Sequence, residues 1–395
     1  MAIPYATRMS RVRPSAIREL LRLGADPDIT SFGGGYPDPH LFPMDDLRQV
    51  FTRLLTRENA QALQYTASNG LPVLRDQIAR RLTADGTPCS ADNVLIIQGG
   101  QQGLDLCAKL VINAGDVVIT ENPTFLGALI AFNPYEPRYA AVRIDDGGMD
   151  LGHLEQTLAA HPQAKMIYTV RDFQNPTGVT LAADRRERLV ELANAHDVLV
   201  VEDTPYRALR YDGDPLPTLK SLDTQGRVVH LGSFSKILAP GMRLGWAVAG
   251  EEVLGRLGLL KLAADTQSST LNMAATSAYL QDYDLDAHVA AALPVYRHKR
   301  DLMLDTMRST FPDSVGFTRP DGGLFTWLTF PDGFDAAAFM RRELLPRAKT
   351  AFVPGATFFP VVEEPHHARM SFSGVPDDKL ARGVSAIGAL LHAIG

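Results

Sequence analysis

Short, almost uninterrupted apolar runs alternate with amphipathic stretches through the middle of the chain. The runs cover residues 94–99, 117–121, 138–144, 165–170, 198–203, 228–232 and 244–249, and β-branched side chains recur in them. Apolar runs of this length are the signature of strands covered on both faces. Between them lie stretches such as residues 181–195, whose apolar positions recur at helical spacing. The alternation predicts an α/β domain: a mainly parallel, seven-stranded sheet flanked by helices.

The ends read differently. Residues 15–23 have a helical pattern with Ser15 as N-cap. Toward the C-terminus, residues 316–331 read as strands around the turn Pro320-Asp321-Gly322-Gly323. Further strands follow at 351–354 and 369–372, with helices at 335–345 and 377–392. We expect a smaller α+β domain drawn from both chain ends. The boundaries are residues 1–44 for an arm and part of the small domain, 45–290 for the large domain, and 291–395 for the rest of the small one. A cleft between two such domains is a common ligand site.

Composition narrows the class. Among 395 residues, 45% are hydrophobic and 21% charged, with a formal net charge of −6 and no basic stripe. That argues against nucleic acid as a partner. No apolar run has the length of a membrane span. Only Cys89 and Cys107 are present, outside any metal-ligand spacing, so a reducing cytoplasm is the simplest location. Arg8, Arg11, Arg13, Arg18 and Arg22 faintly resemble a transit peptide, but fit the arm and first helix of the mature protein better.

The candidate chemistry sits at the ends of the apolar runs. Gly232-Ser233-Phe234-Ser235-Lys236 places a lysine after a buried strand. Burial lowers the charge of a lysine, and its neutral amine can form a Schiff base. Ser233, Ser235 and Arg243 suit a phosphate. Asp203 closes another buried strand, with Tyr206 three residues on. It is either an ordinary helix cap or a carboxylate held against a pyridinium nitrogen, which an anion keeps protonated. Asn175-Pro176-Thr177-Gly178 is a turn by composition, yet Asn175 and Tyr206 can both reach a phenolic oxygen. Gly99-Gly100-Gln101-Gln102 opens a helix, where free amides favour an anion. Phe125 is either core or a ring stacked on a cofactor.

These pieces, in this order, resemble the pyridoxal-phosphate-dependent fold type I aminotransferases of class I/II. Within them the chain is most similar to the 2-aminoadipate, aromatic and branched-chain branch. The resemblance runs from Ser15-x-Ile17-Arg18-Glu19-Leu20 and Phe32-Gly33-Gly34-Gly35-x-Pro37 through Gln64-Tyr65, Gly99 to Asp105, Asp172-Phe173-Gln174-Asn175-Pro176-Thr177-Gly178, Val201-Glu202-Asp203 and Gly232 to Lys236. It ends with Pro240-Gly241-x-Arg243, Pro354-Gly355 and Arg369-x-Ser371-Phe372.

The resemblance implies a cofactor, pyridoxal 5'-phosphate, carried on Lys236, which also moves the proton. It implies Asp203 at the ring nitrogen, Asn175 and Tyr206 at the ring oxygen, and Phe125 on the ring face. Gly100, Gln101, Ser233, Ser235 and Arg243 would hold the phosphate. Tyr65 would reach the phosphate of a neighbouring subunit, which makes the protein a homodimer with shared sites. Arg369 would clamp the substrate α-carboxylate beside Asn175 and Gly35, with Ser15 and Arg18 on a helix over the substrate side chain. The substrates would be an amino acid and a 2-oxo acid, in a ping-pong cycle.

Some residues depart from the pattern. Arg171 stands where proline or a small residue is usual, as an exposed loop residue or a selector of an unusual substrate. Thr204 and Pro205 differ as well. Residues 360–367 are not the glycine-rich loop the family carries, and their His366-His367 pair is not read as a metal site. Arg171 and this loop leave room for elimination, replacement, decarboxylation or oxidation on the same scaffold. A ligand-sensing domain of a transcription regulator fits less well, because only some fourteen residues precede the first helix.

Overall fold

The computed structural model describes residues 3–12 and 26–394; Ser15, Arg18 and the expected helix at 15–23 lie outside them. The seven apolar runs all form strands. They are β1 (Val94–Ile97), β2 (Val117–Asn122), β3 (Arg138–Asp145), β5 (Met166–Thr169), β6 (Leu199–Asp203), β7 (Val228–Ser233) and β8 (Gly245–Val248). A short edge strand, β4 (Gly148–Met149), turns back on β3 and makes the sheet eight-stranded. The apolar pattern missed β4, because two residues with glycine carry no alternation. Strand order is β1-β8-β7-β6-β5-β2-β3-β4. Pairing is parallel from β3 through β2, β5 and β6 to β7, while β8 runs antiparallel between β7 and β1.

The continuous apolar runs are explained by two cores, one on each face of the sheet. Met166, Tyr168, Val201 and Leu231 pack into one, with Leu104 and Cys107 of α3 (below). Ile167, Val200 and Val228 pack into the other, with Leu189 and Val190. Each fully buried Val, Ile or Leu side chain contributes roughly 1.5–3 kcal/mol. The flanking helices include α1 (Met44–Leu54), α2 (Pro72–Ala84), α3 (Gly100–Val111) and α4 (Ala183–Ala195).

The second sheet has the order β9 (Gly316–Phe317), β10 (Phe325–Thr329), β12 (His367–Ser371), β11 (Val353–Pro354), all antiparallel. The N-terminal side of the chain joins this part of the molecule. Thr30 and Ser31 pair in parallel with Thr350 and Ala351, and Ser371 N donates to Phe32 O at 2.8 Å. Helix α5 (Leu285–Thr310), capped by the Asp284 side chain, packs on the last helix, α6 (Asp377–Ile394). It runs unbroken through the expected boundary at 290. Among the described residues no helix is long and apolar enough to cross a membrane.

Candidate active site

A cavity of about 380 Å³ opens at the C-terminal ends of the parallel strands, where the small sheet leans over them. Open α/β sheets bind ligands at this edge, because loops leave every strand there. Gly33, Gly34, Gly35, Gly100, Gln101, Phe125, Asn175, Asp203, Tyr206, Ser233, Ser235, Lys236, Arg243 and Arg369 all line it. A larger cavity, about 520 Å³, shares Pro205 and Ser233 but holds neither Lys236 nor Asp203 nor Arg369. We place the chemistry in the smaller one, where the titratable groups converge.

Its floor is a cup of donors. Gly99 turns the chain at φ 74°, and α3 starts at Gly100 with its first amides unpaired inside the helix. Ser235 N donates to Ser233 Oγ at 3.1 Å, and the two hydroxyls lie 2.9 Å apart. Arg243 follows the turn Pro240–Met242 with a left-handed φ of 52° and donates from Nη2 to Gln98 O at 3.2 Å. Close packing fixes the cup: a Cβ on Gly245 would sit 2.6 Å from Gly232 O, and one on Gly99 would sit 3.0 Å from Arg243 Nη2. Helix amides, two hydroxyls and a guanidinium are a donor set for a phosphate dianion.

Above the cup, Lys236 Nζ donates to Gly35 O at 2.7 Å. Burial pushes its pKa down to about 8, and the charges of Arg369 and Arg243 add to this. Asp203 is buried at the end of β6, where Tyr168 OH donates to its Oδ2 at 3.0 Å. Burial pushes its pKa up to about 7, against the pull of Tyr168 and the Thr204 amide. Among the described residues no cation pairs with this carboxylate, and a protonated pyridine nitrogen would supply one.

Asn175 binds in two directions: Nδ2 donates to Tyr206 OH at 3.4 Å, and Oδ1 accepts from Arg369 Nη1 at 2.8 Å. Arg369 also donates from Nη2 to Gly33 O at 2.7 Å and lies over the rings of Phe325 and Phe358. Its Nε is buried without a hydrogen-bond partner among the described residues. An arginine held by stacking, with a free buried donor, is prepared for a carboxylate. The residues present therefore fit pyridoxal phosphate together with an amino acid.

The cavity gathers most of the residues singled out in the sequence. Tyr65 is elsewhere, 80% exposed on the surface. Tyr168, Tyr36, Phe325 and Val353 were missed. Tyr168 sits inside an apolar run, and only the pairing of β5 with β6, with Tyr168 opposite Val201, carries it to Asp203.

Arg171 corrects both readings of that residue. It is fully buried and lines neither surface nor cavity. Its guanidinium pairs with Glu202 and Asp172, and Arg186 Nη2 joins Asp172 at 2.7 Å. The residue that argued for an unusual reaction is a structural tie beneath the Asp172–Gly178 loop.

Comparison with known proteins agrees with this geometry. Residues 32–387 match the family described as "Aminotransferase class I and II". The chain is 37% identical to aromatic-amino-acid aminotransferase 1 of Thermococcus litoralis, over 97% of this chain and 93% of that one. It is 35% identical to 2-aminoadipate transaminase of Thermus thermophilus, over 97% and 95%. Its fold superposes with a TM-score of 0.94 on the solved Pyrococcus horikoshii kynurenine aminotransferase in complex with PMP, at 36% identity and covering 99% and 97%. The chain belongs to the class I and II aminotransferases and is a pyridoxal-phosphate-dependent amino-acid aminotransferase.

Proposed function

We propose a division of labour among the residues of this site. One observation carries it: a single cavity brings Lys236, Asp203, Asn175, Tyr206 and Arg369 together above one anion cup. Pyridoxal phosphate supplies the electron sink that lets an amino acid lose its Cα proton. Lys236 Nζ would hold the cofactor, and its free amine would take the proton from the substrate Cα and return it. A pKa lowered to about 8 leaves part of the amine neutral near neutral pH, as a general base requires.

Asp203 holds the ring nitrogen, Asn175 and Tyr206 the ring oxygen, and Phe125 the ring face. Gly100, Gln101, Ser233, Ser235 and Arg243 hold the phosphate. Arg369 binds the substrate α-carboxylate through its free Nε and Nη groups, beside Asn175 and Gly35. Tyr65, exposed on one protomer, completes the phosphate site of its partner in a cytoplasmic homodimer. Residues 1–44 are an arm and part of the small domain, 45–290 the large domain, and 291–395 the rest of the small domain. The names of the relatives favour aromatic amino acids and 2-aminoadipate as donors.

The test adds single amino acids to the PLP-loaded protein without any oxo acid. Bleaching of the visible cofactor absorption, with one equivalent of the matching 2-oxo acid by mass, is expected for the right donor. Lys236→Ala should lower that half-reaction by about 10²–10⁴-fold. An undiminished half-reaction in Lys236→Ala would overturn the proton role given to Lys236.

A further inference from the structure

The loop between Phe359 and β12 holds a second cluster, apart from the cofactor cavity. Glu364, His366 and His367 each offer a ligand atom, and these atoms all lie within 4.8 Å of one another. Adjacent histidines in sequence carried no such meaning; the chain folds so that both rings turn the same way. Their centroids are 4.1 Å apart.

His367 is the fixed member. Its ring runs nearly parallel to Trp327, 5.2 Å between centroids, and to Phe359, 5.5 Å. Its Nδ1 lies 3.3 Å from Leu328 O and 3.2 Å from Thr329 Oγ1. A carbonyl oxygen only accepts, so Nδ1 carries the hydrogen and Nε2 presents a lone pair. A backbone carbonyl that orients an imidazole in this way is the usual support of a metal-binding histidine.

That lone pair meets Glu364 Oε2 at 3.2 Å. Two acceptors this close repel unless a proton or a cation lies between them. Two ligand atoms on a tetrahedral Zn²⁺, at about 2.0–2.2 Å from the metal, stand roughly 3.3–3.6 Å apart. The observed spacing is within a small adjustment of that value. A proton between His367 and Glu364 would engage two of the three residues, whereas a metal ion engages all three. His366 stands on a partly exposed loop and can close the remaining gap. Asp332 Oδ1, exposed, lies 4.0 Å from His366 Nε2.

We propose that Glu364, His366 and His367 form a binding site for a borderline divalent transition ion of the Zn²⁺, Co²⁺ or Ni²⁺ type. Mixed imidazole and carboxylate ligands select these ions over Mg²⁺ and Ca²⁺. The ion fastens the 360–366 loop to β12. His367 and Arg369 share one face of that strand, and Trp327 pairs with Arg369 in the ladder. The site therefore braces the strand that carries the proposed carboxylate clamp.

The test titrates ZnCl₂ and NiCl₂ into the untagged holoenzyme, with bound metal counted after equilibrium dialysis. We expect one Zn²⁺ per chain, with no competition from excess Mg²⁺. Ni²⁺ should quench part of the tryptophan emission, since Trp327 touches His367 and Trp246 is the one other tryptophan. His366→Ala and Glu364→Gln, both on the partly exposed loop, should each weaken binding by at least about tenfold and abolish the quenching. Absence of stoichiometric binding to the wild type overturns the site, and so does binding that survives either substitution undiminished.

Discussion

Glu202 and Asp203 are neighbours on β6, both buried, and they meet opposite electrostatic fates. Successive strand residues point to opposite faces. Glu202 points to the side of Val200, where charge and donors surround it. Arg171 pairs with it, His230 Nδ1 lies 2.9 Å from Oε2, and the amides of Leu219 and Lys220 donate at 2.6 and 3.2 Å. Burial alone would raise its pKa, but Arg171 and these partners hold it far below the usual carboxylate range. Asp203 points to the side of Val201, toward the cavity, and has Tyr168 as its side-chain partner. The same burial, without a cation, drives its pKa up to about 7. A saturated carboxylate supports structure; an unsaturated one at a cavity is held ready for a ligand. The difference teaches that parity along one strand divides stability from chemistry.

The contrast can be broken at several points. The largest effect belongs to Glu202→Gln, which leaves the Arg171 guanidinium buried without its charge partner. We expect a loss of about 3–5 kcal/mol in urea unfolding, with kcat per bound cofactor close to wild type. An equal fall in kcat would show that the two faces are not separate. Asp203→Asn should do the reverse. Its kcat should fall by about 10²–10³-fold, the scale of losing a charge aimed at the reacting system, while the cofactor-free protein becomes more stable.

That gain should depend on pH, with a sign that follows from the raised pKa. Asp203 has an ordinary value of 3.8 and a folded value near 7. Its contribution to the cofactor-free fold is therefore fully present below about pH 4, where the carboxyl is protonated in both states, and is lost as pH rises through about 7. Thermal melts of cofactor-free wild type and Asp203→Asn should coincide at the acid end. They should diverge by about 4 kcal/mol by pH 8. A constant gap across that range would mean that Asp203 does not titrate there. The smallest effect is that of Tyr168→Phe, which removes one donor from Asp203. About 1 kcal/mol, roughly fivefold in cofactor affinity by absorbance titration, is expected.

The chain sequence by itself determined the alternation of buried strands and helices, and with it the α/β class. It also placed Gly100, Asn175, Asp203, Ser233 and Lys236 at or just past strand ends. In a parallel sheet all such ends share one edge, so local pattern sufficed to bring those residues together. Local pattern also marked the lysine, since a cation after an apolar run is visible without a partner. What only the tertiary structure decided were contacts made across the register. Tyr168 reaches Asp203 because β5 pairs with β6 in one register. Arg171 is buried because Glu202 and Asp172 arrive from separate segments to meet it. Glu364 and His366 gather around His367 because Trp327 and the Leu328 carbonyl set that ring. Propensity and periodicity act between near neighbours in the chain, whereas charge pairing and ligand convergence act between near neighbours in space.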